Sequence, residues 1–132
     1  MAAAADTNVL LRLLLGDDDE QARAARAFQR IHAPLFVSHV VLAEASWVLT
    51  SGYGFTREKL RAVLEMLMDT DGIALQEPEV VQAALESFRS SRADFSDCLI
   101  LAVARSAAMA PLATFDQKLG KLPGARKLGK KR

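Results

Sequence analysis

The sequence predicts an α/β fold in which a short parallel sheet is flanked by helices. Two observations predict it. Short apolar runs at residues 2–6, 35–37, 73–75 and 112–114 alternate with longer stretches of helical periodicity. The chain has 132 residues, 51% hydrophobic and 25% charged, which is the core and surface of one ordinary soluble domain.

The elements follow in order. Ala2–Asp6 is a first strand, weak by propensity because four of its residues are alanine. Asn8–Leu15 is a largely apolar helix stopped by Gly16. Asp17–Ile31 is a second helix with its acidic residues at the positive end of the helix dipole. Leu35–Val37 is a strand, and Ser38 caps the helix His39–Ser51. Gly52 and Gly54 break that helix, and Thr56 caps the next, Arg57–Met68. Ile73–Leu75 is a strand, and Pro78 opens a helix from a position where its missing N–H costs nothing. Asp94 or Ser96 opens an apolar helix running to about Met109, and Pro111 ends it. Leu112–Thr114 is a strand and Phe115–Leu119 a short helix. No repeat or linker divides the chain, so one domain over 1–132 is expected, with a basic, flexible tail from about 124.

Composition excludes several classes. One cysteine forms no internal disulfide, no run of about eighteen apolar residues is present, and the start lacks a signal-peptide pattern. A cytoplasmic protein with no membrane partner is expected. The net charge of +1 conceals an asymmetry: residues 118–132 hold seven basic and no acidic groups, leaving ten basic against sixteen acidic before them. A basic end on an acidic body suits either a solvated terminus or a polyanion contact through Arg126, Lys127, Lys130, Lys131 and Arg132.

In parallel sheets, ligand sites lie beyond the carboxyl ends of the strands. Asp6 follows the first strand and Asp116 the strand 112–114. Glu44 and Asp97 lie on helices among apolar neighbours: Val40, Val41, Trp47 and Val48 for the first, Ile100 and Leu101 for the second. Both carboxylates are therefore expected on faces that their helices bury. Two carboxylates about 4 Å apart repel by roughly 4 kcal/mol at an effective dielectric near 20. Four in one pocket require a counter-ion, and an all-oxygen donor set suits Mg²⁺ or Mn²⁺. Each residue also has a plainer use. Asp6 and Asp94 suit helix caps, Asp97 a helix first turn, and Asp116 an ordinary turn. Cys98, Trp47 and Phe55 are read as packing groups, and His32 and His39 as structural.

The segments Asp6–Arg12 (DTNVLLR), Val37–Glu44 (VSHVVLAE), Ala93–Ala104 (ADFSDCLILAVA) and Ala113–Leu119 (ATFDQKL) together resemble the PIN-domain ribonucleases, and among them the VapC toxins of VapBC toxin–antitoxin modules. Each segment is short; four in order cover nearly the whole chain. The resemblance implies a PIN-like three-layer α/β/α fold and a Mg²⁺- or Mn²⁺-dependent endoribonuclease. Asp6, Glu44, Asp97 and Asp116 become its catalytic, metal-binding quartet. Asn8 and Thr114 become supporting polar groups, and Asp94 a second-rank acidic member. Arg89, Arg92 and Lys127 become candidates for gripping RNA. A homodimer and a cognate antitoxin protein are implied partners.

Two rivals have distinct signatures. A phosphoryl-accepting receiver-like domain needs a lysine after a late strand, where this chain has Asp116, and an acidic pair on the first strand. A catalytically silent PIN-like module that binds RNA or protein needs no intact quartet, and all four carboxylates are present.

Overall fold

The computed structural model describes residues 2–16 and 19–129. Asp17 and Asp18, at the expected start of the second helix, and Lys130, Lys131 and Arg132 of the basic tail lie outside the described residues. The chain divides into two compact units, Met1–Gln76 and Glu77–Arg132.

The first unit runs β1 (Ala3–Ala4), α1 (Thr7–Leu15), α2 (Glu20–His32), β2 (Leu35–Val37), α3 (His39–Ser51), α4 (Arg57–Met68) and β3 (Ile73–Leu75). Its three strands pair in parallel in the order β1-β2-β3, with Ala3 opposite Leu35 and Leu35 opposite Ile73. The alanine-rich first strand is only two residues long, and Ala5 extends it by one bond, its N–H donating to Phe36 O at 3.0 Å. Leu10 and Leu11 of α1, Leu35 and Val37 of β2, and Leu42, Ala45 and Leu49 of α3 are buried. Each fully buried leucine contributes roughly 1.5–3 kcal/mol.

Caps set the helix starts. The side chains of Asp6, Asp19, Ser38 and Thr56 each accept a backbone N–H three residues on, opening α1 to α4 in turn. Gly16 stops α1 with φ 66°, a left-handed conformation that suits glycine. His39 has the structural role expected of it. Its Nε2 lies 2.8 Å from Gln76 O, a carbonyl that only accepts, so the ring donates there. The His39 backbone N–H donates to Gln76 Oε1, also at 2.8 Å, clasping the start of α3 to the end of β3.

The second unit runs α5 (Pro78–Arg89), α6 (Phe95–Ser106), β4 (Leu112–Thr114), a 3-10 turn (Leu119–Lys121) and β5 (Ala125–Lys127). Helices α5 and α6 pack together through Val81, Leu85, Phe88, Phe95 and Leu99, all buried, with the Phe88 and Phe95 rings edge to face at 5.8 Å. Cys98, read as core filler, is fully buried.

Strand β5 falls where the sequence suggests the start of a basic tail. It pairs in parallel with β4, placing Leu112, Ala113 and Thr114 opposite Ala125, Arg126 and Lys127. Gly124 makes this possible: at φ 89° a Cβ there would lie 2.9 Å from Arg105 Cδ. The Arg105 guanidinium donates to Pro123 O at 3.0 Å, holding the turn against α6. The parallel pairing expected of the strands is observed, as three strands in the first unit and two in the second.

Helix α6 ends at Ser106 rather than near Met109. Met109 N–H bonds back to Ala104 O and Ala108 N–H to Arg105 O, with Ala108 at φ 59°. These are the two bonds of a Schellman stop, whose left-handed residue is here an alanine. Ala108→Gly is expected to stabilise the protein by about 1 kcal/mol, because a side chain in that conformation is sterically penalised. Urea unfolding checks it, and an unchanged or lower midpoint would contradict this account of the helix end.

Candidate functional site

Asp6 stands at the carboxyl end of β1 and is the N-cap of α1. Its Oδ1 accepts the Val9 N–H at 2.9 Å, and the residue is exposed. The capping use is therefore real, and it occupies one carboxylate oxygen only. Beside it lies a cleft of about 510 Å³ with Asn8, Arg12 and Phe28 in its wall. Asn8 is engaged within its own helix, its Oδ1 accepting from Arg12 Nη2 at 3.4 Å, while Arg12 Nη1 reaches Asp19 at 3.8 Å.

Glu44, the other candidate in this unit, is joined to the same helix start. The hydroxyl of Thr7, which follows Asp6, donates to Glu44 Oε1 at 2.5 Å. One helix start thus sets both groups, Asp6 through its cap and Glu44 through Thr7. Sequence reasoning quoted Thr7 within its first motif and gave it no role. The signal available was its place next to a strand-end aspartate, where its hydroxyl can reach a carboxylate on a neighbouring helix.

The expectation that Glu44 lies on a buried face is corrected. Glu44 is exposed, and Val40 and Trp47 on its face are 69% and 65% exposed. Helix α3 is apolar on several sides, and the stripe it buries is Leu42, Ala45, Ser46 and Leu49. Apolar neighbours alone could not choose between faces. Trp47 is consequently not a packing group within this chain, and Phe55 lies under the ammonium of Lys59 at 4.2 Å.

In the second unit, Asp94 is the N-cap residue of α6 by backbone, yet its side chain makes no capping bond. Asp97 lies one turn on, only partly buried, between exposed Ile100 and buried Leu101. Its carboxyl is raised above the usual aspartate value, first by burial, then by the negative charges of Asp94 and Asp116. The unit therefore brings Asp94 and Asp116 within electrostatic reach of Asp97. Asp116 lies beyond the end of β4 and closes the turn that follows, its Oδ2 accepting Leu119 N–H at 2.7 Å. Thr114 supports it directly, as its Oγ1 accepts the Asp116 N–H at 3.0 Å. Arg89 and Arg92 are exposed and each is engaged by other groups, whereas Lys127 is exposed on β5 opposite Thr114.

Among the described residues, no group of three or more His, Cys, Asp or Glu side chains is arranged to hold a metal ion. Three carboxylates at ligating distance repel one another unless a cation sits among them. The donor chemistry does fit a hard divalent ion. It is all oxygen, and Asp97 already feels two like charges with no ion pair to offset them among the described residues.

A stability prediction follows from Asp97. Its folded-state value lies above the ordinary 3.8, so protonation favours the fold at low pH. That contribution is lost as pH rises through the raised value, and above it the ionised group opposes folding. Asp97→Asn should therefore raise the melting temperature of the metal-free protein at pH 7, with the gain vanishing below about pH 4. Thermal unfolding across pH checks this. A loss of stability at pH 7 would show that the ionised carboxylate is instead favourably held.

A family model described as PIN domain matches residues 3–125, spanning both units. The chain is 24% identical over 120 residues to a VapC ribonuclease of Aquifex aeolicus (strain VF5), covering 89% of each chain. No solved structure matches. Among the described residues, no helix is long and apolar enough to cross a membrane. With the family match extending over nearly its whole length, this chain belongs to the PIN-domain family.

Proposed function

We propose that the protein is a Mg²⁺- or Mn²⁺-dependent endoribonuclease, the toxin of a toxin–antitoxin pair, with Asp6, Glu44, Asp97 and Asp116 as its acidic metal-binding quartet. The observation that carries this reading is the set of aspartates at strand and helix ends, with Asp97 raised first by burial and then by the charges of Asp94 and Asp116. A cation would offset the repulsive part of that cost. Family membership and the similarity to a VapC ribonuclease support RNA as the substrate class. A protein antitoxin as partner and a homodimer acting inside the cell belong to the same reading.

When bound, a divalent ion supplies positive charge that stabilises the phosphate oxygens and makes water easier to deprotonate. The chain supplies the rest. Asp6 offers the carboxylate oxygen not used in capping, and Glu44 is held in one orientation by Thr7. Asp97 or Asp116 orients the attacking water and accepts its proton, and in-line attack then cleaves the phosphodiester. Asp94 stays in an outer position that reinforces the negative field on Asp97. Thr7 and Thr114 are positioning residues that act through Glu44 and Asp116.

Purified, partner-free protein should cleave a labelled mixed-sequence RNA with Mg²⁺ or Mn²⁺ and lose that activity in EDTA. Asp6→Asn and Asp97→Asn should each lower the rate by roughly 10²-fold or more. Thr7→Val should weaken Mn²⁺ affinity by roughly ten- to a hundredfold, and Thr7→Ser should restore it. Unchanged cleavage in EDTA, or in both aspartate variants, would sink the reading. Measurable Mn²⁺ binding with no cleavage of total cellular RNA would favour the silent module.

A further inference from the structure

The acidic centre repels RNA, so the substrate must be held by groups outside the quartet. Residues 115–127 of the second unit carry such groups. The seven basic residues from Lys118 onward have no acidic residue among them. Four of these, Lys118, Lys121, Arg126 and Lys127, are exposed, and among the described residues none is engaged in an ion pair. Their charges are not consumed by the fold.

Strand pairing determines where one of them sits. Because β5 is parallel to β4, with Thr114 opposite Lys127, the basic strand ends at the same edge as the strand that leads to Asp116. Leu128 N–H donates to Thr114 O at 2.8 Å, so the pairing continues past Lys127. Gly120 then seats the lysine. A Cβ at 120 would lie 2.8 Å from Lys127 Cβ, so position 120 must lack a side chain for Lys127 to lie against the turn. That is the turn capped by Asp116, whose carbonyl also accepts the Gly120 N–H at 3.0 Å. The base of Lys127 is thereby fixed relative to Asp116, while its ammonium remains in solvent.

Phe115 adds a second kind of contact. It lies between Thr114 and Asp116 and is 77% exposed, the most exposed large hydrophobic residue among the described residues. An aromatic face beside unpaired cations is the combination that holds single strands, stacking a base while neighbouring charges track the phosphates. An anionic membrane would also attract the lysines, but it gives no reason for the aromatic group to stand directly beside a catalytic carboxylate.

We propose that residues 115–127 form the substrate rim of the site, where Lys121 and Lys127 grip RNA phosphates and Phe115 stacks on an unpaired base next to the cleaved bond. The preferred ligand is single-stranded RNA. This deepens the nuclease reading and rests on it for Asp116.

The test is binding of a fluorescent single-stranded oligouridylate to the full chain in EDTA, which prevents cleavage, from about 50 to 200 mM salt. Lys121→Ala/Lys127→Ala retains the Cβ that packs on Gly120, so the turn should survive. It should lower the slope of log affinity against log salt by about 1.4, the loss of two single-strand phosphate contacts. Phe115→Ala should weaken binding roughly tenfold with the slope unchanged. Arg30→Ala/Arg61→Ala, which removes two exposed cations from the first unit, should change neither quantity.

An unchanged slope in the lysine variant, or an equal loss in the control, overturns the rim. So does salt-dependent binding to phosphatidylglycerol vesicles without binding to RNA. Metal-dependent cleavage by the wild type, assayed on the same preparation, separates the two claims. Cleavage with an unchanged slope sinks the rim alone. A reduced slope with no cleavage upholds the rim and sinks the nuclease.

Discussion

The bond from Val9 N–H to Asp6 Oδ1, 2.9 Å long, joins two requirements that meet at the end of a strand. A helix start leaves N–H groups without partners, and a parallel strand delivers the chain to just such a start. A carboxylate placed there satisfies the backbone with one oxygen and leaves the other outside that bond. Asp116 repeats the arrangement at the turn after β4, through Leu119 N–H. Asp94 occupies the cap position of α6 without making the bond, which leaves its whole charge to act on Asp97. The capping pattern and the acidic pattern are thus one feature seen at two levels.

Charge placement of this kind opposes stability locally. Burial, and after it the charges of Asp94 and Asp116, makes the ionised form of Asp97 unfavourable in the folded chain. The fold offsets the cost with burial elsewhere, in the leucine-rich faces of α1 and α3 and in the packed pair α5 and α6. The proposed function draws on that unfavourable part: a cation bound there would relieve the repulsion, and its charge would be available to a phosphate. In the proposed rim, Phe115 and the described basic residues of the turn and strand after Asp116 stand beside the carboxylates without pairing with them.

Much of this was legible in the sequence, for identifiable reasons. The helices 39–51 and 57–68 and the strands 35–37, 73–75 and 112–114 match their expected bounds because Ser38, Thr56, Gly52 and the apolar triplets mark them locally. The stop of α6 was misplaced because Ala108 adopts a left-handed conformation that its side chain does not advertise. Strand β5 was hidden because Ala-Arg-Lys carries no β signal, and its pairing depends on Gly124 and Arg105 in three dimensions. The positions of Asp6 and Asp116 could be read from the strand ends. The face of Glu44 could not, since α3 is apolar almost all round, and neither could its tie to Thr7, a contact 37 positions away. Local chemistry is written locally; contacts between distant elements are not.

The central proposal is that the acidic residues Asp6, Glu44, Asp97 and Asp116 bind the divalent ion that RNA cleavage needs. Calorimetric titration of Mn²⁺ into the wild type, Asp6→Asn and Asp97→Asn tests it most directly. The account predicts that each change weakens Mn²⁺ binding by roughly tenfold or more. Undiminished Mn²⁺ affinity in either variant would contradict the account.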